Sequence, residues 1–136
     1  MKTFHNDIFD SGLSVISAAA AATTLRLVLC SQAPLTLADA STLYDGAANK
    51  YRLSDAIAVA SGDVSIGDKA GGGREVTVAA KAGTAGATLG AGSDLHYALY
   101  ADTRLLYVSD ETSDQAITSG NPINFPSFTF GMGDPV

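Results

Sequence analysis

Tryptophan is absent from this chain, cysteine occurs once and histidine only twice. Each shortage narrows the chemistry available. The lone Cys30 permits no intrachain disulfide and no thiolate zinc cluster, which fits folding in a reducing cytoplasm. Positive charge is also scarce: eight Lys and Arg stand against fourteen Asp and Glu, for a net charge of −6. The basic residues are scattered and no two are adjacent. Neutralising phosphates takes clustered cations, so the composition predicts no direct contact with nucleic acid and no binding to an anionic membrane surface. Charged residues make up only 16% of the chain, against about 25% in an average domain. A surface so short of charge is poorly protected against association. It points to a protein that works against a partner, further copies of itself included.

Long hydrophobic runs are missing too. Residues 13–30 are fairly apolar but carry Ser14, Ser17, Thr23, Thr24 and Arg26. A membrane-spanning helix needs about 20 predominantly apolar residues, so no span is expected. Asp7 and Asp10 interrupt the place where a secretory signal would put its apolar stretch. Cytoplasmic synthesis without secretion is the expectation.

What the chain does contain is a pattern of short strands. Its 136 residues suit a single domain over residues 1–136, since domains of about 100–150 residues are the commonest size. Asn6 is a helix-capping residue, and Asp7 and Asp10 suit the positive first turn of a helix. Phe9, Leu13, Ile16 and Ala20 then recur on one helical face, which predicts a helix over about residues 7–21. Beyond it, Leu25, Leu27 and Leu29 alternate with Arg26, Val28 and Cys30. That strand is apolar on both faces and so central. Residues 31–34 break it, and residues 36–44 admit a helical turn. Further strands are expected at residues 50–53, 57–59, 64–66, 75–79, 116–118 and 123–130. Residues 95–101 and 104–109 form a hairpin around Ala101-Asp102-Thr103. Nine of the fourteen glycines fall between Gly62 and Gly92, so residues 71–73 and 82–92 read as flexible or tightly turning. Short strands at spacings of about 8–12 residues predict a mainly β fold. The expected form is an antiparallel β-sandwich or small barrel over about residues 24–131, with a short N-terminal α-helix. Leu27, Leu29, Val76, Val78, Leu99, Leu105 and Phe128 are expected to share one core.

Candidate chemistry is thin. Gly71-Gly-Gly-Arg-Glu75 lacks the Lys-Ser/Thr and the following helix of a phosphate-binding loop, and reads as a β-turn. Gly90-Ala-Gly92 lacks the third glycine of a dinucleotide fingerprint. His5 and His96, with Cys30, cannot build a mononuclear metal site unless carboxylates join them. His96 lies opposite in phase to Leu95, Tyr97 and Leu99 and reads as a strand-face histidine hydrogen-bonded to a neighbour. Asp110-Glu-Thr-Ser-Asp114 holds three carboxylates but not the spacing of a calcium loop, and reads as a solvated connection between strands. The Asp63–Asp68 pair reads the same way. No Gly-x-Ser-x-Gly elbow occurs, and Glu is found only at positions 75 and 111, which leaves acyl transfer and glycoside cleavage unsupported. Phe128 and Phe130 share a strand face and read as core rather than as a ligand platform. The residues predict no enzyme, and no catalytic, cofactor-binding or metal-binding residue.

Several segments, taken in order, resemble a family of small tailed-bacteriophage virion proteins. They are residues 7–17, Leu25-Arg-Leu-Val-Leu-Cys-Ser-Gln32, Gly73-Arg-Glu-Val-Thr-Val-Ala79, His96-Tyr-Ala-Leu99, Arg104-Leu-Leu-Tyr-Val108, Gln115-Ala-Ile-Thr-Ser-Gly-Asn-Pro122 and Asp134-Pro135. Their order, over most of the chain, carries the likeness; residues 82–92 and 110–114 match least. The resemblance implies a β-sandwich head decoration, or cement, protein that binds the major capsid protein or another virion protein. It brings no catalytic residues and no cofactor. A tail or neck component, and a β-sandwich module for a host surface or glycan, are the other functions that this scaffold suits.

Overall fold

In a computed structural model that describes residues 2–4, 12–43, 51–90, 94–111 and 115–132, the chain is mainly β, with antiparallel sheets and short helices. β1 (Lys2–Phe4) is followed by α1 (Ser14–Ala21), β2 (Leu25–Cys30), α2 (Leu37–Ser41) and β3 (Ile57–Ala58). β4 (Val64–Asp68), β5 (Arg74–Val78) and β6 (Lys81–Thr84) come next. β7 (His96–Ala101), β8 (Arg104–Asp110), β9 (Pro122–Phe125) and β10 (Phe128–Met132) complete the described elements. Three sheets result, in the orders β1-β8-β7-β2-β3, β10-β5-β4 and β6-β9. Every strand pairing is antiparallel, and the described strands close no barrel.

The two larger sheets share an apolar core, which is the arrangement of a sandwich. Leu25, Leu27, Leu29 and Leu99 from one sheet are buried in one cluster with Val76, Val78 and Phe130 from the other. Aromatic pairs, one stacked and one tilted, join the layers. Tyr107 of β8 lies 4.1 Å, centroid to centroid, from Phe130 of β10, and Tyr97 of β7 lies 4.8 Å from Phe128. Such pairs contribute about 0.5–1.5 kcal/mol beyond the area they bury. α1 packs against β4 and β2 through Val15, Ile16, Ala19 and Ala20. The expected apolar stripe is therefore present at Leu13, Ile16 and Ala20. The helix expected over residues 7–21 is corrected at its start: Gly12 has φ +71°, residues 12–13 form a turn and α1 begins at Ser14, while Asn6 and Phe9 lie outside the described residues.

β2 is apolar on both faces because both faces are covered. Its outward side, Val28 and Cys30, joins Ala98, Val108 and Ala40 of α2 in a second buried cluster. α2 is the helical turn expected in residues 36–44. Thr36 caps it and Asp39 returns the bond, its carboxylate accepting from the Thr36 amide at 2.9 Å. Beyond β3, residues 51–54 run beside β2 by irregular pairing. Leu53 N donates to Leu29 O at 2.7 Å, and the buried Ser54 hydroxyl accepts from Leu29 N at 2.9 Å.

Four further expectations need correction. Leu105 is half-buried against the smaller cluster, and Leu106 takes the place in the main core. The turn sets this phase, since Ala101 pairs with Arg104 and Leu105 falls opposite the outward Tyr100; a β-bulge between Leu99 and Tyr100 then sets Leu99 opposite Tyr107, so that Leu106 and Tyr107 both face inward. The extra residue reverses the inward-outward phase of β8. Residues 123–130 are two strands, because Pro126 lacks the amide a ladder needs. Ile117 makes one isolated bridge, to Leu89, rather than a strand. Residues 81–84, at the start of the stretch read as turning, form a strand paired with β9. Gly83 sits close to Ile57 of β3, and a Cβ there would push the Ile57 and Asp55 side chains aside.

Candidate functional site

Three places concentrate chemistry among the described residues. The first is the open end of the β7–β8 hairpin. His96 begins β7 and Asp110 ends β8, and the two are direct cross-strand partners. Directly opposed residues have Cβ atoms about 4.5–5.5 Å apart on one face of the sheet. The bulge decides this partnership. From the Ala101–Arg104 pair at the turn, a regular ladder would set His96 opposite Ser109; the added residue sets it opposite Asp110. Asp94, two residues before His96, completes the group. One ring nitrogen of His96 and one carboxylate oxygen from each Asp all lie within 4.8 Å of one another.

The ring is set on a firm base. His96 is 3% exposed, while Asp94 and Asp110 are exposed. Its Nδ1 lies 2.9 Å from the Asp94 carbonyl oxygen. A carbonyl oxygen only accepts, so Nδ1 carries a proton there and the neutral ring presents its lone pair at Nε2. His96 is thus a strand-face histidine bonded to a neighbour, as its phase predicts, but it is buried and flanked by carboxylates. Asp110, expected in a solvated connection, is instead a paired strand residue. Asp114 lies outside the described residues, as does His5.

The second place is Cys30, the β2 partner of His96. Burial pushes its thiol well above the usual range; the Arg52 guanidinium opposes this and Asp39 adds to it. A thiol kept protonated is a poor nucleophile. Arg52 is occupied as a strut, donating from Nε to Ser54 O at 2.6 Å and from Nη1 to Ser41 O at 2.8 Å.

The third is an open cavity of about 500 Å³ between the ends of β2 and β9, with Leu29, Leu95, Ile117 and Phe125 in its wall. Glu111 is the one ionisable residue in its lining. A single carboxylate makes no acid/base pair and activates no nucleophile. The remaining carboxylates of interest stand apart. Asp63 is bonded to Lys81 Nζ at 2.8 Å, and Asp68 pairs with Arg74, so these two serve separate ion pairs.

Sequence reasoning missed the Asp94–His96–Asp110 group because it required the register of the hairpin. The available signal was Asp94-x-His96, since residues two apart in an extended chain point to one side. No helix among the described residues is long and apolar enough to cross a membrane. No family model, no curated protein and no solved structure matches the chain.

Proposed function

We propose that this protein is a structural component of a tailed-phage virion: a decoration protein that binds the outer face of the assembled head and stabilises it. The observation that carries this reading is the ordered resemblance and where it falls in the fold. Its segments coincide with the scaffold: residues 25–32 contain β2, 73–79 contain β5, and 96–99 with 104–108 form most of the β7–β8 hairpin. The acidic, charge-poor surface supports a protein partner over a phosphate backbone. The three-stranded sheet ends in β4 and β10, and sheet edges are places where a neighbouring chain can add a strand. The mechanism is mass action. A ligand that binds only the intact shell stabilises it by its binding free energy, and repetition over a shell multiplies weak contacts.

The test compares particles assembled with and without the protein. Particles lacking it should form but break at lower temperature or under osmotic shock. Purified protein should bind intact shells far more tightly than isolated capsid subunits. Hundreds of copies per particle are expected, as against the few of a tail or neck component. Particles that keep full physical stability without it, yet fail to attach to cells, would overturn this reading in favour of a host-surface module.

A further inference from the structure

We propose that Asp94, His96 and Asp110 bind one divalent transition-metal ion of the zinc type at the open end of the β7–β8 hairpin. The donor set is one imidazole nitrogen and two carboxylate oxygens, all within 4.8 Å of one another. Zinc holds nitrogen and oxygen ligands at about 2.0–2.2 Å, so donors around one ion sit at most about 4 Å apart. The two aspartates are exposed, and the ion would draw their carboxylates in from that separation. The imidazole is the anchored member of the group. It is buried on the sheet, and the Asp94 carbonyl holds its Nδ1 proton at 2.9 Å. A histidine that ligates a metal through one nitrogen almost always has the other N–H held in this way, which fixes the tautomer and the ring plane. One residue, Asp94, would thus supply a ligand from its side chain and a support from its backbone.

A nitrogen donor separates this site from a calcium or magnesium site, which takes oxygen ligands. Cys30, one strand away, is outside the group, so no thiolate is involved. Three protein ligands leave at least one position for water. The bulge is what sets the distances. It costs the ladder a residue, and it exchanges Ser109 for Asp110 opposite the buried imidazole. Bulges are over-represented where a strand must re-aim a side chain. The bound ion would fasten the chain entering β7 to the end of β8, opposite the turn.

The experiment titrates chelator-treated, dialysed protein with zinc chloride in a calorimeter and follows its melting temperature. The wild type should take up one Zn²⁺ per chain and melt several degrees higher with it, while calcium chloride should give no shift. Asp94→Asn and Asp110→Asn should each weaken Zn²⁺ binding tenfold or more, and the double variant should abolish it. Both replacements are isosteric, and the metal-free melt of each variant is the baseline from which its Zn²⁺ shift is read. His5→Ala should bind normally. A second reading needs no substitution: in nitrogen NMR, Nε2 of His96 should shift on adding Zn²⁺ while Nδ1 keeps its proton. The proposal is overturned by any one of three results: no stoichiometric uptake, uptake that survives in the double variant or vanishes in His5→Ala, or bound Zn²⁺ with an unmoved His96 ring.

Discussion

Leu106→Ala should destabilise the protein several-fold more than Leu105→Ala, although the two leucines are adjacent in one strand. Leu106 is fully buried in the core shared by the two sheets. Truncating it removes its transfer free energy and leaves a cavity between packed layers, which together cost about 3–5 kcal/mol. Leu105 is half-buried on the opposite face, beside the smaller cluster. Water and neighbours can fill the space it leaves, so the loss should be about 1–2 kcal/mol. Unfolding entropy of about 2.1 cal/mol/K per residue, over 136 residues, is about 0.29 kcal/mol/K. The melting temperature should fall by about 10–17 °C for Leu106→Ala and by about 3–7 °C for Leu105→Ala. Calorimetric melts measure both, and guanidinium titrations with unchanged slope confirm that the folded state is the one affected. The order follows from the turn: Ala101 pairs with Arg104, so Leu105 falls opposite the outward Tyr100, and Leu106 is the next residue inward. An equal or larger loss at Leu105 would therefore falsify the pairing of Ala101 with Arg104 and of Tyr100 with Leu105 at the hairpin turn.

Gly131→Ala should cost about 1–3 kcal/mol, the range for forcing atoms into a filled space: a Cβ there collides with the Arg74 carbonyl oxygen and sits 2.8 Å from Glu75 Cα, across the β5–β10 ladder. A thermal melt unchanged by this substitution would show that β10 does not pair with β5 at that register. The Lys81 side chain, with the Ala60 amide, holds the Asp63 carboxyl below its usual range. A depressed folded pKa stabilises above the unfolded value, about 3.9, and the contribution is lost as pH falls through the folded one. Asp63→Asn should thus be less stable than wild type by about 0.5–1 kcal/mol at pH 7, and the two should converge as pH falls below about 4. Melting curves that stay parallel from pH 7 to pH 2 refute the pair's contribution.

The elements legible in the sequence were those whose side chains alone fix their surroundings. Leu25 to Cys30 is apolar at nearly every position, and a strand of that kind must be covered on both faces; α2 and the main core cover it. The alternation of Glu75-Val-Thr-Val78 likewise reads directly as β5. Elements fixed by their partners were not legible. Lys81-Ala-Gly-Thr84 has weak strand propensity, and it is a strand only because β9 lies beside it. Lys2–Phe4 gives no alternation to read, and its place beside β8 is a tertiary fact. The candidate site belongs to the same class. Its members are 2, 14 and 16 residues apart in the chain, and only the register of one hairpin brings them together.

That register turns on a single residue. A bulge leaves part of a ladder unpaired, so it persists only where the altered phase gains something on each face. On the inner face the gain is volume: Leu106 and Tyr107 are consecutive, yet both are buried in the main core. On the outer face it is charge placement. Past the bulge, Val108 and Asp110 face Ala98 and His96. Val108 and Ala98 close the smaller cluster, and Asp110 reaches the buried imidazole. A one-residue slip would send Val108 inward and put the Ser109 hydroxyl against the ring, losing apolar burial and a carboxylate together. Hydrophobic packing therefore enforces the pairing that assembles the polar group, and the geometry at Asp94, His96 and Asp110 needs no ion to hold its strands in place. An ion added there would bind a preformed base, with only two exposed carboxylates left to order.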